Sequence, residues 1–180
     1  MAPVSAITRT NILALLKGGD RRSIGRSGQI AGAVAADPKL FSALIKGLWS
    51  NNAVVRMRSA DAVEKVTRQS PQLLQPYRKE LLGLIAETEQ QEVRWHLATM
   101  APKIASTPKE RLSVAASLLE YLDDRSSIVR TFALQGLAEL ARDEPELRTK
   151  VIEILRQANR SGTAAMKARS RKLLRELESE

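Results

Sequence analysis

A repeating frame of 33 to 37 residues constrains this chain more than any other feature of it. Four of its seven prolines fall at the junctions Asp37-Pro38, Ser70-Pro71, Thr107-Pro108 and Glu144-Pro145, spaced 33, 37 and 37 residues apart. Proline is favoured at the first helical position, where its missing N–H would have no partner anyway. Thr107-Pro108-Lys109-Glu110 adds the residues of a capping box, with Thr107 as N-cap and Glu110 reaching back to it. Each junction therefore predicts a helix start, and together they divide the chain into units of one length.

Apolar spacing says what each unit contains. After each junction two adjacent large apolar residues are followed by a third: Leu44, Ile45, Leu48; Leu81, Leu82, Ile85; Leu118, Leu119, Leu122; Val151, Ile152, Leu155. Ile12, Leu13 and Leu16 supply a copy upstream. On an α-helix this spacing gathers the side chains into one stripe, the face that packs inward. A second helix in each unit opens on an apolar-basic pair: Val55-Arg56, Val93-Arg94, Val129-Arg130 and Met166-Lys167. Further apolar pairs follow at Val63/Val66, Ala101/Ile104, Leu137/Leu140 and Leu174/Leu177, with Ala60, Ala98, Ala133 and Ser170 between them, small enough for helices to approach closely. The first unit is degenerate, with Ile24-Gly25 at the pair. The predicted helices are 5–17, 20–36, 38–49, 52–69, 71–87, 90–105, 108–122, 126–142, 145–158 and 163–178. Pro76 and Pro102 fall inside the third pair, where a kink or a displaced helix start is expected.

The chain is 43% hydrophobic over 180 residues, enough for a core without disulfides, and it has no cysteine, which removes thiolate metal sites and cysteine nucleophiles. Leu, Ala, Val and Ile fill the apolar positions and aromatic residues are only 3%, a balance that favours packed helices over sheet. The apolar run Ile12–Leu16 is far shorter than the roughly 20 residues needed to cross a bilayer. We expect a soluble, cytoplasmic, all-α chain with no membrane partner.

The apolar-Arg pair opening the second helix, preceded five residues earlier by an acid in Asp124…Val129-Arg130, resembles the HEAT repeat. The resemblance spans nearly the whole chain and implies a right-handed α-solenoid of five antiparallel helix pairs, one domain over 1–180 with repeats near 4–36, 37–69, 70–105, 106–142 and 143–178. The signature Trp, Gly, Tyr and Phe positions of tetratricopeptide repeats have no counterpart. In the other units the acidic position is Ser50, Thr88 and Ser161, so the Asp–Arg ladder of HEAT arrays is expected only around Asp124. HEAT-like DNA glycosylases and phycobilin lyases share the architecture, but no catalytic residue of theirs matches here. An enzyme of either kind is the least favoured alternative.

No cofactor, metal or catalytic set is expected. His96 is the lone histidine, and beside Trp95 it reads first as a surface or packing pair and only second as a base or stacking group in a groove. Gly18-Gly19 follows a predicted helix and lacks a Lys-Ser/Thr ending, so it reads as a helix C-cap rather than a phosphate loop. Charge is the remaining signal. The net charge of +9 is uneven: +3 over 1–37, +4 over 38–70, zero over 71–142 and +2 over 143–180. If second helices line a concave face, Arg56, Arg94, Arg130 and Lys167 recur along it on helices about 10 Å apart. These regular arginines are expected to bond within the array, leaving Arg58, Arg68, Arg169 and Arg171 as free charges. The expected function is a non-enzymatic scaffold that binds an acidic protein partner through Arg56, Arg58, Arg94, Trp95, His96, Arg130, Lys167, Arg169 and Arg171. The alternative is sequence-nonspecific, backbone-directed nucleic-acid binding through the basic ends of the chain.

Overall fold

The structure, a computed structural model, describes residues 6–20 and 22–179. Among these it is all-helical and has no strand. Nine α-helices follow in order: α1 Ser27–Ala36, α2 Phe41–Ile45, α3 Ala53–Thr67, α4 Arg78–Glu87, α5 Gln91–Ile104, α6 Pro108–Tyr121, α7 Ser127–Asp143, α8 Pro145–Ser161 and α9 Ala164–Ser179. Among the described residues no helix is long and apolar enough to cross a membrane.

The proline frame is realised at all four junctions, and in two forms. Pro108 and Pro145 open α6 and α8 directly, whereas Pro38 and Pro71 open 3-10 segments, Pro38–Leu40 and Pro71–Tyr77. Pro76 explains the second case. Inside an α-helix its ring would meet the carbonyl four residues back, so the chain winds as a 3-10 helix to Tyr77 and α4 begins at Arg78. The displaced start is the one expected there. Pro102 has a milder effect, since α5 carries on through it to Ile104. The capping box forms: Thr107 Oγ1 accepts from Glu110 N at 3.2 Å and Glu110 Oε2 accepts from Thr107 N at 3.1 Å.

Two compact units divide the chain, one ending at Leu73 and one beginning at Leu74. In the first, α3 packs on α1, on α2 and on the 3-10 segment Lys46–Trp49. Ile12, Leu16, Leu44, Ile45 and Leu48 are fully buried there, as the stripe predicts. At the crossing of that segment with α3 the helices approach so closely that a Cβ on Gly47 would lie 2.0 Å from Ser59 Oγ. The first two predicted helices need correction. Position 5 lies outside the described residues; the rest of 5–17 forms turns and one 3-10 turn, Ala14–Leu16, and 20–36 becomes helical only at Ser27. The cause is local geometry together with a distant side chain. Gly18, Gly19 and Gly25 adopt left-handed φ of +83°, +67° and +53°, which no α-helix accommodates, and their carbonyl neighbourhood is claimed by Arg58.

The second unit is built in layers. Helices α5, α7 and α9 lie side by side, α7 meeting both neighbours; α4 and α6 pack together on α5, α6 also meets α7, and α8 packs against α7 and α9. In each first-helix stripe the first member is buried, and so is its i+4 partner in α4 and α8, where Leu81/Ile85 and Val151/Leu155 are at most 2% exposed. In α9 Leu177 is buried as expected, but Leu173 is buried in place of Leu174, which is half-buried.

Candidate functional site

Two of the regular arginines, Arg56 and Arg94, spend donors on the turns that precede their own helices, and Arg130 does not. Arg56 Nη1 donates to Ser50 O at 2.7 Å, and Arg94 Nε donates to Thr88 O at 2.7 Å. Both acceptors lie six residues upstream. Such bonds use orphan carbonyls at the end of one helix to fix the start of the next. Arg94 also forms an ion pair with Asp124, Nη1 to Oδ2 at 2.7 Å, and covers the ring of Tyr121 at 5.0 Å. Asp124 is held by accepting from Ser126 N at 2.8 Å. The Asp–Arg contact expected only around Asp124 is therefore present, tying α5 to the turn between α6 and α7.

Arg58 is a correction. Expected as a free surface charge, it is 3% exposed. Its guanidinium donates to the carbonyls of Ser23 (3.0 Å), Leu16 (2.8 Å), Lys17 (3.4 Å), Gly18 (2.6 Å) and Asp20 (3.3 Å). A buried cation is tolerable only when its donors are this fully used. Gly25 has no room for a side chain, because a Cβ there would meet Arg58 Cζ at 2.7 Å. Arg58 thus belongs to the interior of the first unit. His96 is a second correction, 1% exposed and interior to the second unit. Arg68 is exposed but engaged, with Nε and Nη2 donating to Glu64 at 2.6 and 2.8 Å; that hydrogen bond, with the adjacent carboxylate charge, raises its pKa above the ordinary arginine value.

What remains at the surface forms a line across three adjacent helices. Trp95 of α5 lies 5.3 Å from Phe132 of α7, centroid to centroid, and the Arg169 guanidinium of α9 lies 5.3 Å from the same Phe132 ring. His96 stacks beneath Trp95 at 3.3 Å. Trp95, Phe132 and Arg169 are all half-buried, while Lys167 is half-buried and Arg171 exposed further along α9. Arg130, on α7, is half-buried with its Nε fully enclosed. The Trp95 and Phe132 rings are tilted by 30° to one another, and the cation over Phe132 is held by the ring quadrupole with about 0.5–1 kcal/mol.

Phe132 is the residue that sequence reasoning passed over. It follows Val129 at the same offset as Arg169 follows Met166, so aligning the second helices by their apolar-basic pairs places it level with Arg169 and one position from Trp95. In a chain with two Phe, two Tyr and two Trp, an aromatic at that register was the available signal. No protein-family model matches this chain, and no curated protein or solved structure matches it either.

Proposed function

We propose that the helix pairs are HEAT-like repeats and that the chain is a binding scaffold, recruiting a protein partner with an acidic surface through the face of α5, α7 and α9. The observation that carries this reading is the Trp95–Phe132–Arg169 line, an aromatic-cation strip laid across three neighbouring helices and half open to solvent. Trp and Arg are the residue types on which protein–protein binding energy concentrates, above all where neighbouring contacts exclude water. Arg169 gives the strip its positive charge, which favours acidic partners and speeds encounter. Arg56 and Arg94, bonded to turn carbonyls, serve to hold their helices in register.

The test compares capture by the full chain with capture by Trp95→Ala and by Arg169→Glu. A protein retained by the wild type and released by both variants, with their unfolding midpoints near the wild type's, supports the reading. Retention unchanged in both variants overturns it. So does tight binding to duplex DNA whose affinity falls steeply with salt, since phosphate neutralisation releases counterions.

A further inference from the structure

A cavity of about 620 Å³ opens on the second unit between α7, α8 and the start of α9. It is distinct from the aromatic strip, and it is lined by an arginine whose bonding departs from the pattern. Arg56 and Arg94 each donate to a carbonyl six residues upstream, and Arg94 adds Asp124. Arg130 occupies the same register and makes neither bond: its Nε is buried without a hydrogen-bond partner. The carboxylate that answers Arg94 has no successor, because the residue 37 positions beyond Asp124 is Ser161, whose hydroxyl donates to Gln157 O at 3.0 Å. A charged donor withdrawn from water and left without an acceptor is costly, and here it lines a cavity.

The surroundings select the ligand. Leu122, Leu134, Ile154 and Met166 furnish aliphatic walls. Two further charges lie at the rim. Arg160 is engaged by Gln157 Oε1 at 3.0 Å, and Glu153 is exposed and makes no ion pair with Arg130. The exposed carboxylate of Glu153 at the rim repels a multiply charged phosphate more than a singly charged acid. A planar carboxylate suits a guanidinium fork, and the volume lies in the range of about 300–1,000 Å³ usual for small organic ligands. We infer that this cavity binds a small aliphatic monocarboxylate, its carboxylate taken by Arg130 and its hydrocarbon body lying against Leu122, Leu134, Ile154 and Met166. The bound acid supplies at Arg130 the acceptor that Asp124 supplies at Arg94.

Titrating the full chain with octanoate, octanol and acetate, followed by calorimetry and by amide shifts in the nuclear magnetic resonance spectrum, tests each part. Octanoate should bind at least tenfold more tightly than octanol or acetate, shift amides around 130 and 153–166, and raise the unfolding temperature. Arg130→Gln should weaken octanoate at least tenfold while leaving the weak octanol affinity unchanged. Ile154→Trp, which keeps the arginine and fills the space, should abolish binding of both; it also serves should Arg130→Gln fail to fold. Equal affinity for octanol and octanoate, octanoate binding that survives either substitution, or no binding at millimolar octanoate overturns the proposal.

Discussion

Gly136 of α7 presents its bare α-carbon to the carbonyl of Ala98 in α5: a Cβ built on Gly136 would lie 2.6 Å from Ala98 O and 2.8 Å from Leu118 Cδ1. Four residues on from Ala98 stands Pro102, which has no N–H to return to that oxygen. The carbonyl that the proline leaves without its helical donor is the one against which α7 packs. Weak Cα–H···O contacts recur at such close helix crossings.

Gly136→Ala should therefore destabilise the protein by about 1–3 kcal/mol, the usual cost of overpacking, although alanine is the better helix former. A Cβ added at Gly83, in α4, would meet nothing within 4 Å, and Gly83→Ala should stabilise by about 0.5–1 kcal/mol. Denaturant midpoints of the two variants, moving in opposite directions, check the crossing.

Arg58→Met should cost at least about 2 kcal/mol, because a cation bonded to five carbonyls is removed and the acceptors are left in the interior. Arg58→Lys should recover less than half of that, since a compact ammonium cannot spread its donors over a planar fork. Urea unfolding of the three proteins gives the comparison.

Tyr121 is buried and its hydroxyl donates to Ile85 O at 2.6 Å, a carbonyl in the last turn of α4 with no intrahelical donor of its own. Tyr121→Phe should cost about 1–3 kcal/mol. Burial pushes the phenol well above its usual range. A folded-state value raised above the unfolded one means stability is retained below pH about 10 and lost as the pH rises past it; thermal melts from pH 8 to 11 should show that loss diminished in the variant.

Glu110 titrates below the ordinary carboxylate range, chiefly because its carboxylate accepts from Ser106 N at 2.9 Å, and also from Thr107 N, with Arg78 3.1 Å away. A depressed folded-state value contributes stability above the unfolded pKa of about 4.3, and that contribution is lost as the pH falls through the folded value. Glu110→Gln keeps the capping geometry without the charge. It should melt below the wild type at pH 7 and together with it near pH 2.

Helix pairing was legible wherever the information is local. Pro108 and Pro145, the Thr107–Glu110 box and the stripe of Leu81 and Ile85 each act within a few turns of chain, so spacing alone reveals them. The first pair was not legible, because the turns at Gly18, Gly19 and Gly25 are bound by a side chain some 35 to 42 residues away. His96 and Arg58 misled for a related reason: polar residues read as surface unless their partners can be seen. Phe132 joins the strip only through neighbours on other helices. Of the residues the strip joins, Trp95 and Arg169 were singled out from the sequence, but not the Phe132 between them.

The grip of Arg58 on residues 16–23 has an evolutionary corollary. Every acceptor it uses is a main-chain oxygen, and that oxygen is the same whichever amino acid carries it. Part of the shape of the segment is thus encoded outside it, at one position on α3. Apart from Leu16, which is buried, and the left-handed glycines, its residues are open to drift under selection, whereas position 58 tolerates a single residue type. Among related chains, the arginine should be found persisting beside a neighbouring stretch whose letters have changed almost completely.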